Sequence, residues 1–259
     1  MEDRYAIRSV DRAIDILECI AAQNGVLTVD QIVIATGLPK TTAFRVLATL
    51  ASRRLVERDE QTQTYRLGML SLVIGARAMG DLDLRRSARP HLEQLVAETG
   101  ETVHLSILSG DKALCIDKLD ASRSMRMASF VGFLDPLHCS GVGKALLAFQ
   151  DEPTRRHLLG RMQFEPHTPH TITDRAGLAT QIEEIRARGY AIDDEEIEEG
   201  LRCVAAPISD HSGRVIAAVS ISGPTTRVTE ENLKTLANAV ESCAQTISRE
   251  LGALEKATT

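Results

Sequence analysis

The sequence predicts an α+β chain in two parts, a small helical region followed by a larger region built on one antiparallel sheet. Three observations support this prediction. The chain has 259 residues, more than the roughly 100 to 200 residues of a usual single domain. Apolar residues repeat at helical spacing near the start of the chain, whereas from Glu101 onward many alternate as in β-strands. Strands followed by helices and then by further strands indicate an α+β domain.

Two short helices are predicted first. One runs from Ser9 to about Gln23. The next begins with a capping-box pattern at Thr28 and Gln31 and ends at Gly37. The expected core-facing residues are Val10, Ala13, Ile14, Leu17 and Ile20 in the first helix, and Ile32 and Ala35 in the second.

A third helix is predicted from about Pro39 to Ser52, and it carries a local positive charge. Its buried stripe consists of Ala43, Val46, Leu47 and Leu50. The opposite side carries Lys40, Thr41, Thr42, Arg45 and Thr49. From Gly37 to Arg54 there are four basic residues and no acidic one, although the whole chain has a net charge of −6. Such a local positive face is typical of a DNA-binding surface, but the solvated side of a helical bundle gives the same pattern.

Two β-prone runs favour the DNA-binding interpretation. Leu55–Arg58 and Thr64–Leu67 are separated by polar residues, which predicts a hairpin. Three helices and a hairpin form a winged helix-turn-helix, which we assign to residues 1–67. We expect its third helix to lie in the major groove of a double-stranded DNA operator. The expected base-reading residues are Thr41, Thr42 and Arg45, and the expected phosphate contacts are Lys40, Arg58 and Arg66.

Charge and composition indicate a cytoplasmic protein. Residues 1–70 contain nine basic and nine acidic residues, so the net negative charge lies in the rest of the chain. No apolar run approaches the roughly 18 to 20 residues of a membrane span, and the charged N-terminus lacks a signal-peptide core. The five cysteines form no CxxC pair, which favours reduced thiols. We therefore expect no membrane partner.

A linker helix is predicted at residues 68–80. Gly68–Met79 is apolar around most of its circumference, and an apolar helix of this kind usually marks an interface. We expect it to pack against a second copy of itself and to dimerise the chain. A further helix, capped near Asp81 and containing Pro90, is expected to end near Thr99.

Residues 81–259 are assigned to the second domain. The predicted strands are Thr102–Leu108, Ala113–Leu119, Met125–Phe130, Tyr190–Asp193, Arg202–Ile208 and Arg214–Ser222. The predicted helices are Gly141–Phe149, Glu152–Arg161, Arg175–Arg188, and a long closing helix capped by Thr229 that ends near Leu254.

An anion-binding site is indicated where Ser140-Gly141-Val142-Gly143 begins a helix, because backbone amides at a helix start attract negative charge. Ser220 and Ser222 share one face of the last strand and would add hydroxyl groups. A structural role is the alternative. The glycines would then only allow close packing, and the serines would bind the backbone.

The sequence resembles the IclR-type transcriptional regulators over nearly its whole length. The segments that carry the resemblance are Ser9–Leu17, Arg45–Leu47, Tyr65–Gly68, Pro136–Leu147, Gly189–Glu196 and Gly200–Ile208. Ser209 departs from the family pattern, which usually has an aromatic residue or histidine there. The resemblance implies a winged helix-turn-helix joined through a dimerising linker helix to a GAF/PAS-like antiparallel-sheet effector domain. It also implies assembly as a homodimer or a dimer of dimers.

The resemblance further implies which residues contact the effector. The implied polar contacts are the Gly141 and Val142 amides, Asp193, Cys203, Ser220 and Ser222, and the implied apolar wall is Met127 and Leu201. The implied effector is a small organic acid or related metabolite whose carboxylate binds the amides. Cys203 could instead be simply a small buried residue.

The function expected from the sequence is therefore a ligand-responsive, DNA-binding repressor of a catabolic operon. The alternative is a metabolite sensor that acts through protein contacts.

An enzyme is disfavoured. His138 and Cys139 lie beside a helix start, but adjacent residues of an extended segment point to opposite faces. A metal site formed by His104, His138, Cys139 and Cys203 is disfavoured because no spacing matches a close ligand pair. His167 and His170 are expected to be surface residues. We expect no catalytic residue, no metal and no cofactor.

Overall fold

The computed structural model describes residues 7–22, 26–80, 83–121 and 129–253. The chain divides into two compact units, Met1–Leu82 and Asp83–Thr259. The first unit contains, in order, α1 (Arg8–Ala22), β1 (Leu27–Thr28), α2 (Val29–Thr36), α3 (Lys40–Ser52), β2 (Val56–Asp59), β3 (Thr64–Leu67) and α4 (Met69–Gly80).

Helix α1 forms where it was predicted, but it buries a different face. Ile16 and Ile20 are fully buried in the core, whereas Val10 and Ile14 are 50% and 46% exposed. The prediction that Val10 and Ile14 face the core is therefore wrong. Two overlapping apolar stripes satisfy helical spacing in this segment, and the core uses the one that contains Ile16.

Helix α2 begins at the predicted capping box. The Thr28 amide donates to Gln31 Oε1 at 2.8 Å, and the Gln31 amide donates to Thr28 Oγ1 at 3.4 Å. Gly37 ends the helix in the left-handed conformation, with φ of 67°. Ile32 is fully buried, but Ala35 is exposed, so the prediction for Ala35 is wrong.

Helix α3 confirms the predicted buried stripe. Ala43, Leu47 and Leu50 lie in the core of the first unit, and Val46 packs partly buried against it. The predicted hairpin is also confirmed, since β2 pairs antiparallel with β3. Strand β1 adds a third strand to this sheet by pairing with β3. Two residues are too few to produce an alternating pattern, so the sequence did not predict this strand.

The start of α4 is fastened to the turn that follows α3. The Gly68 amide donates to the Leu55 carbonyl at 2.8 Å, and the Leu70 amide donates to the Arg54 carbonyl at 3.0 Å. The Ser71 hydroxyl also donates to the Leu55 carbonyl, at 2.9 Å. A Cβ atom at position 68 would lie 2.4 Å from the Arg54 carbonyl oxygen. Only glycine allows this close backbone approach.

A helix, α4, forms where the linker helix was predicted. Met69, Leu72, Val73 and Ile74 are each between 48% and 62% exposed. An apolar surface of this kind usually marks an interface, and the dimerising role of α4 stays a prediction. The helix has 12 residues, and no helix in the described part of the chain is long and apolar enough to cross a membrane.

The second unit is built on a six-stranded antiparallel sheet. It contains, in order, α5 (Asp83–Thr99), β4 (Thr102–Ser109), β5 (Lys112–Leu119), β6 (Leu134–Pro136), α6 (Gly141–Ala148), α7 (Glu152–Arg161), α8 (Arg175–Arg188), β7 (Ala191–Asp194), β8 (Leu201–Ser209), β9 (Val215–Pro224) and α9 (Glu230–Glu250). The strand order is β6-β5-β4-β9-β8-β7. The predicted α+β architecture is therefore confirmed.

One predicted strand does not match. Residues 125–128 of the predicted strand Met125–Phe130 lie outside the described residues, and 129–130 are not in a strand. The third strand of this edge is instead β6, where Leu134 pairs with Leu114. Asp135 and Pro136 in a three-residue strand offer little β-propensity, so the sequence pattern did not reveal it.

The two faces of the sheet are covered differently. Helices α5 and α9 pack on one face, against the central strands. Helix α6 packs on the other face, where Ala191, Ala205 and Ala218 share a core with Leu146 and Leu147. Small alanine side chains let the helix approach the strands closely. The start of α6 is thereby held directly above β7, β8 and β9.

Candidate functional site

The outer side of α3 is available for contact. Lys40, Thr41, Arg45 and Thr49 are exposed as predicted, and Thr42 is half-buried. The Thr49 hydroxyl donates to the Arg45 carbonyl at 2.9 Å, which holds that side chain against its own helix. The predicted reading residues therefore share one solvent-facing surface.

The two predicted cations of α3 differ in whether they form an ion pair. Lys40 Nζ lies 2.6 Å from Asp30 Oδ1 of α2, and both side chains are largely exposed. Exposed pairs of this kind contribute only about 0 to 1 kcal/mol, so a phosphate group can replace the aspartate. Arg45 has no ion-pair partner within residues 7–22 and 26–80. The charge and the N–H donors of Arg45 are therefore available to a ligand, and base reading by Arg45 stays a prediction.

The predicted wing arginines are held by neighbours on the hairpin. Arg66 donates to Glu57 Oε2 through Nε at 3.1 Å and Nη2 at 2.8 Å, directly across from it in the sheet. Arg58 donates to Gln63, and its guanidinium lies 5.9 Å from the centroid of the Tyr65 ring. Either arginine must release these partners before it can contact a phosphate group. That role remains a prediction for both residues.

A cleft beside Arg45 contains residues that the sequence reasoning missed. It has a volume of about 620 Å³ and lies between α1 and α3. Arg12 and Ser9 line it from α1, and Phe44, which is 50% exposed, lines it from α3. The sequence did offer a sign of Phe44, because helical spacing places this aromatic residue on the polar side of α3. Arg12 adds a second cation to the surface around Arg45.

In the second unit, the start of α6 is organised as the sequence predicted. The Ser140 hydroxyl accepts from the Gly143 amide at 3.0 Å and donates to the Pro136 carbonyl at 2.6 Å. This cap uses the third amide of the helix and leaves the first two, Gly141 and Val142, without a partner from the helix itself. Two adjacent amides at a positive helix end suit a carboxylate.

Most predicted polar residues lie beneath this helix start. A Cβ atom built on Gly141 would lie 3.3 Å from Cys203 Cβ and 3.8 Å from Asp193 Cβ. Asp193 pairs with Cys203, and Cys203 pairs with Ser222, so the three form one row across β7, β8 and β9. Ser220 follows two residues before Ser222 on the same face, and all four side chains are buried.

His104 of β4 lies opposite Ser220 on the same face of the sheet, although the sequence suggested it only as a metal ligand. Its Nδ1 lies 3.5 Å from both Ser220 Oγ and Ser222 Oγ, and its Nε2 lies 2.7 Å from Ser129 Oγ. Burial and the nearby charge of Lys118 lower the pKa of His104 to about 4. The ring is therefore neutral near pH 7 and offers one donor and one acceptor.

Asp193 differs from an ordinary carboxylate. Its Oδ1 accepts from the amide of Glu196 at 2.9 Å. Burial nevertheless raises the pKa of Asp193 to about 7, against the opposing effect of the Lys144 charge. Lys144 of α6 is fully buried and paired with Glu196. Near neutral pH, Asp193 can therefore donate a proton in a hydrogen bond to an acidic ligand.

The structure describes only one of the two predicted residues of the apolar wall. Leu201 begins β8, is partly buried, and lies two residues before Cys203 on the same strand face. Met127 lies outside the described residues. Thus, of the eight residues predicted to contact the effector, those from α6, β7, β8 and β9 converge on one region of the second unit.

Comparison with known protein families matches both units. Residues 9–60 match the IclR helix-turn-helix domain, and residues 76–249 match the C-terminal domain described as "Bacterial transcriptional regulator IclR C-terminal".

Three known proteins illustrate the likeness. The HTH-type transcriptional regulator BhcR of Paracoccus denitrificans is 40% identical over 95% of this chain and 88% of its own. The HTH-type transcriptional repressor AllR of Escherichia coli is 34% identical over 95% of this chain and 90% of its own. A crystal structure of an IclR homolog from Microbacterium hydrocarbonoxydans, complexed with 4-hydroxybenzoate, superposes with a TM-score of 0.81. Its sequence is 26% identical over 94% of this chain and 98% of its own.

The matches of both units and the similarity over 95% of the chain support the same family assignment. The relatives are transcriptional regulators and not enzymes, as the sequence predicted. The chain belongs to the IclR family and is a DNA-binding transcriptional regulator.

Proposed function

We propose that this regulator is a repressor of a catabolic operon and that a small organic acid, bound between α6 and the sheet, controls its DNA binding. The observation that carries the proposal is the pair of amides at Gly141 and Val142 above a buried row of hydrogen-bonding side chains. The 4-hydroxybenzoate complex of the Microbacterium homolog supports an effector of this class. The repressor relative AllR supports the sign of regulation.

The chemistry of the site suits an oxygen-rich ligand. The amides bind the carboxylate, while the hydroxyls of Ser220 and Ser222, the neutral His104 ring and the Asp193 carboxyl bind the remaining oxygens. Buried polar groups that a bound ligand leaves unpaired reduce its affinity. A ligand that satisfies them binds with selectivity over analogues that lack one oxygen.

A dimer is the proposed form of the regulator. The exposed apolar residues of α4 support association through this helix, with Leu72 and Ile74 at 62% and 55% exposure. Two winged units would then place two α3 helices in successive major grooves of a near-palindromic operator. Effector binding would change DNA affinity through a coupling free energy between the two sites.

DNA reading is tested with the promoter that flanks the chain's own coding region. Arg45→Ala is expected to weaken binding by about 1 to 3 kcal/mol and to relax specificity at one position of each half-site, because Arg45 is exposed and has no ion-pair partner among the described residues. Arg186→Ala, an equal charge change on α8, is the control and should bind normally. Equal loss on all sequences would show that Arg45 contacts phosphate rather than a base.

Effector binding is tested by thermal scanning of the full chain with a panel of small carboxylic acids that includes 4-hydroxybenzoate. A ligand bound only by the native state raises the melting temperature. The double variant Ser222→Ala/Asp193→Ala should lose this shift and the effector's influence on operator binding, while keeping DNA binding itself. Ser242→Ala, on the exposed side of α9, is the control. Loss of DNA binding in the double variant would indicate a folding defect, and an unchanged shift would disprove the site.

A further inference from the structure

Three groups of the kinds that bind transition metals meet beside the start of α6. His138 and Cys139 lie on the turn at 137–139, between β6 and α6, and His167 lies in the loop between α7 and α8. One ligand atom from each lies within 4.8 Å of the other two. His138 and Cys139 are buried, whereas His167 is exposed. The cluster therefore has a buried side and a solvent side.

The turn explains how neighbouring residues can share a site. In an extended segment His138 and Cys139 would point to opposite faces, which is why the sequence disfavoured a joint role. Residues 137–139 instead form a turn. The premise of that objection is therefore wrong, and the two side chains converge.

The loop that carries His167 is fixed to the body of the unit. The amides of His167 and Thr168 donate to Thr171 Oγ1 at 3.0 and 2.9 Å. The hydroxyls of Thr168 and Thr171 donate to the carbonyls of Glu195 and Glu196, each at 2.6 Å. These bonds hold the His167 backbone in place, so little loop entropy is lost when its ring binds a ligand.

The hydrogen bond of His138 leaves a lone pair free on its ring. Its Nε2 lies 3.0 Å from the Glu165 carbonyl oxygen, which can only accept, so Nε2 carries the proton. The unprotonated nitrogen is therefore Nδ1. Metal-binding histidines commonly donate their other ring N–H to a backbone carbonyl in this way, which fixes the ring orientation. The ring of His167 stacks beside it, with centroids 6.0 Å apart and planes at 27°.

The surrounding charges favour a cation at this position. Burial raises the pKa of the Cys139 thiol to about 12, and the carboxyl groups of Asp193 and Glu196 act in the same direction. The same negative potential that opposes a thiolate attracts a metal ion, although Lys144 opposes both effects in part. Two imidazoles and one thiolate form a borderline-soft donor set that suits Zn²⁺.

We propose that His138, Cys139 and His167 form a zinc-binding site whose fourth position faces solvent on the His167 side. On binding, a bond forms between Zn²⁺ and Cys139 Sγ, and the thiol proton is released to solvent. The metal links the turn before α6 to the loop after α7 and so supports the helix start that carries the Gly141 amide. The assignment does not depend on the proposed effector.

The test is a titration of the metal-free, tag-free full chain with Co²⁺, followed by displacement with Zn²⁺. A thiolate-to-cobalt charge-transfer band in the near ultraviolet is expected, with release of one proton. His167→Ala should weaken Zn²⁺ affinity at least about tenfold in competition with a chromophoric chelator, because one ligand is lost. His170→Ala, an exposed histidine of the same loop, is the matched control and should bind as the unchanged chain does.

Cys139→Ser should abolish the charge-transfer band. A band that survives in this variant would assign the metal to another cysteine, and absence of a band in the unchanged chain would overturn the site. Because His167 is exposed, its replacement does not disturb the core, so equal affinities of His167→Ala and His170→Ala would also disprove the proposal even if Cys139→Ser does not fold.

Discussion

Protonation of the buried His104 ring should destabilise the second unit below neutral pH. The pKa of His104 is lowered from 6.5 to about 4 by burial and by Lys118, with Asp120 acting weakly in the opposite direction. The unfolded chain therefore binds one more proton than the folded chain between these two values. The contribution of the neutral His104 ring to the free energy of unfolding is fully present above about pH 6.5, and it is lost as the pH decreases toward 4.

The size of the effect follows from the two pKa values. Full protonation would cost about 3.4 kcal/mol, and the part lost between about pH 7.5 and about pH 5.0 is about 2 kcal/mol. The assay is urea unfolding of the full chain at both pH values, followed by circular dichroism. In His104→Gln the fall attributable to this residue should disappear, whereas His157→Gln, which replaces an exposed histidine of α7, should behave as the unchanged chain does.

The comparison between variants isolates His104 from the carboxyl groups that also titrate. If the unchanged chain and His104→Gln lose the same stability between the two pH values, the ring is not held neutral by burial.

Three further predictions concern local features. Gly143→Ala should destabilise the second unit by about 1 to 3 kcal/mol in urea unfolding, because the new Cβ would lie 2.4 Å from the Pro136 carbonyl oxygen; wild-type stability would contradict this packing. Thr28→Ala should cost about 1 kcal/mol by removing the capping box of α2, measured in the same way, and no change would mean that solvent replaces the cap. Leu72→Glu should shift the assembly toward monomer in sedimentation equilibrium, since Leu72 is 62% exposed on α4; an unchanged mass would place the interface elsewhere.

Elements with local start and stop signals were predictable from the sequence. Helices α7 and α8 have the predicted bounds, and Asp151, Asp174 and Gly189 supply their caps. These signals act over a few residues, so they can be recognised without knowledge of the fold. The capping box of α2 and the glycine-rich start of α6 belong to the same class.

Features that depend on distant partners were not predictable. In α1 the apolar spacing fits two stripes, and only the neighbouring helices decide that Ile16 is buried and Ile14 exposed. Strand β1 exists because Leu27 pairs with Tyr65, far along the chain. Local propensity cannot encode such pairings.

The candidate site shows the same division. Gly141, Val142, Ser220 and Ser222 lie in segments with a recognisable motif or alternation. His104 reaches the site only because β4 pairs with β9 in a register that places it opposite Ser220. The cluster of His138, Cys139 and His167 likewise forms only because the loop between α7 and α8 lies against the turn at 137–139.

The close approach of Gly68 to the Arg54 carbonyl has a practical consequence for building chimeric regulators. A fusion joined at residue 67 would separate the hairpin from Gly68, Leu70 and Ser71, which bind the turn after α3. A foreign sensor domain attached there would lack the hydrogen bonds that connect the linker helix to the winged helix-turn-helix. A junction placed beyond Ser71 keeps these three bonds, so the linker would stay attached to the turn that follows α3.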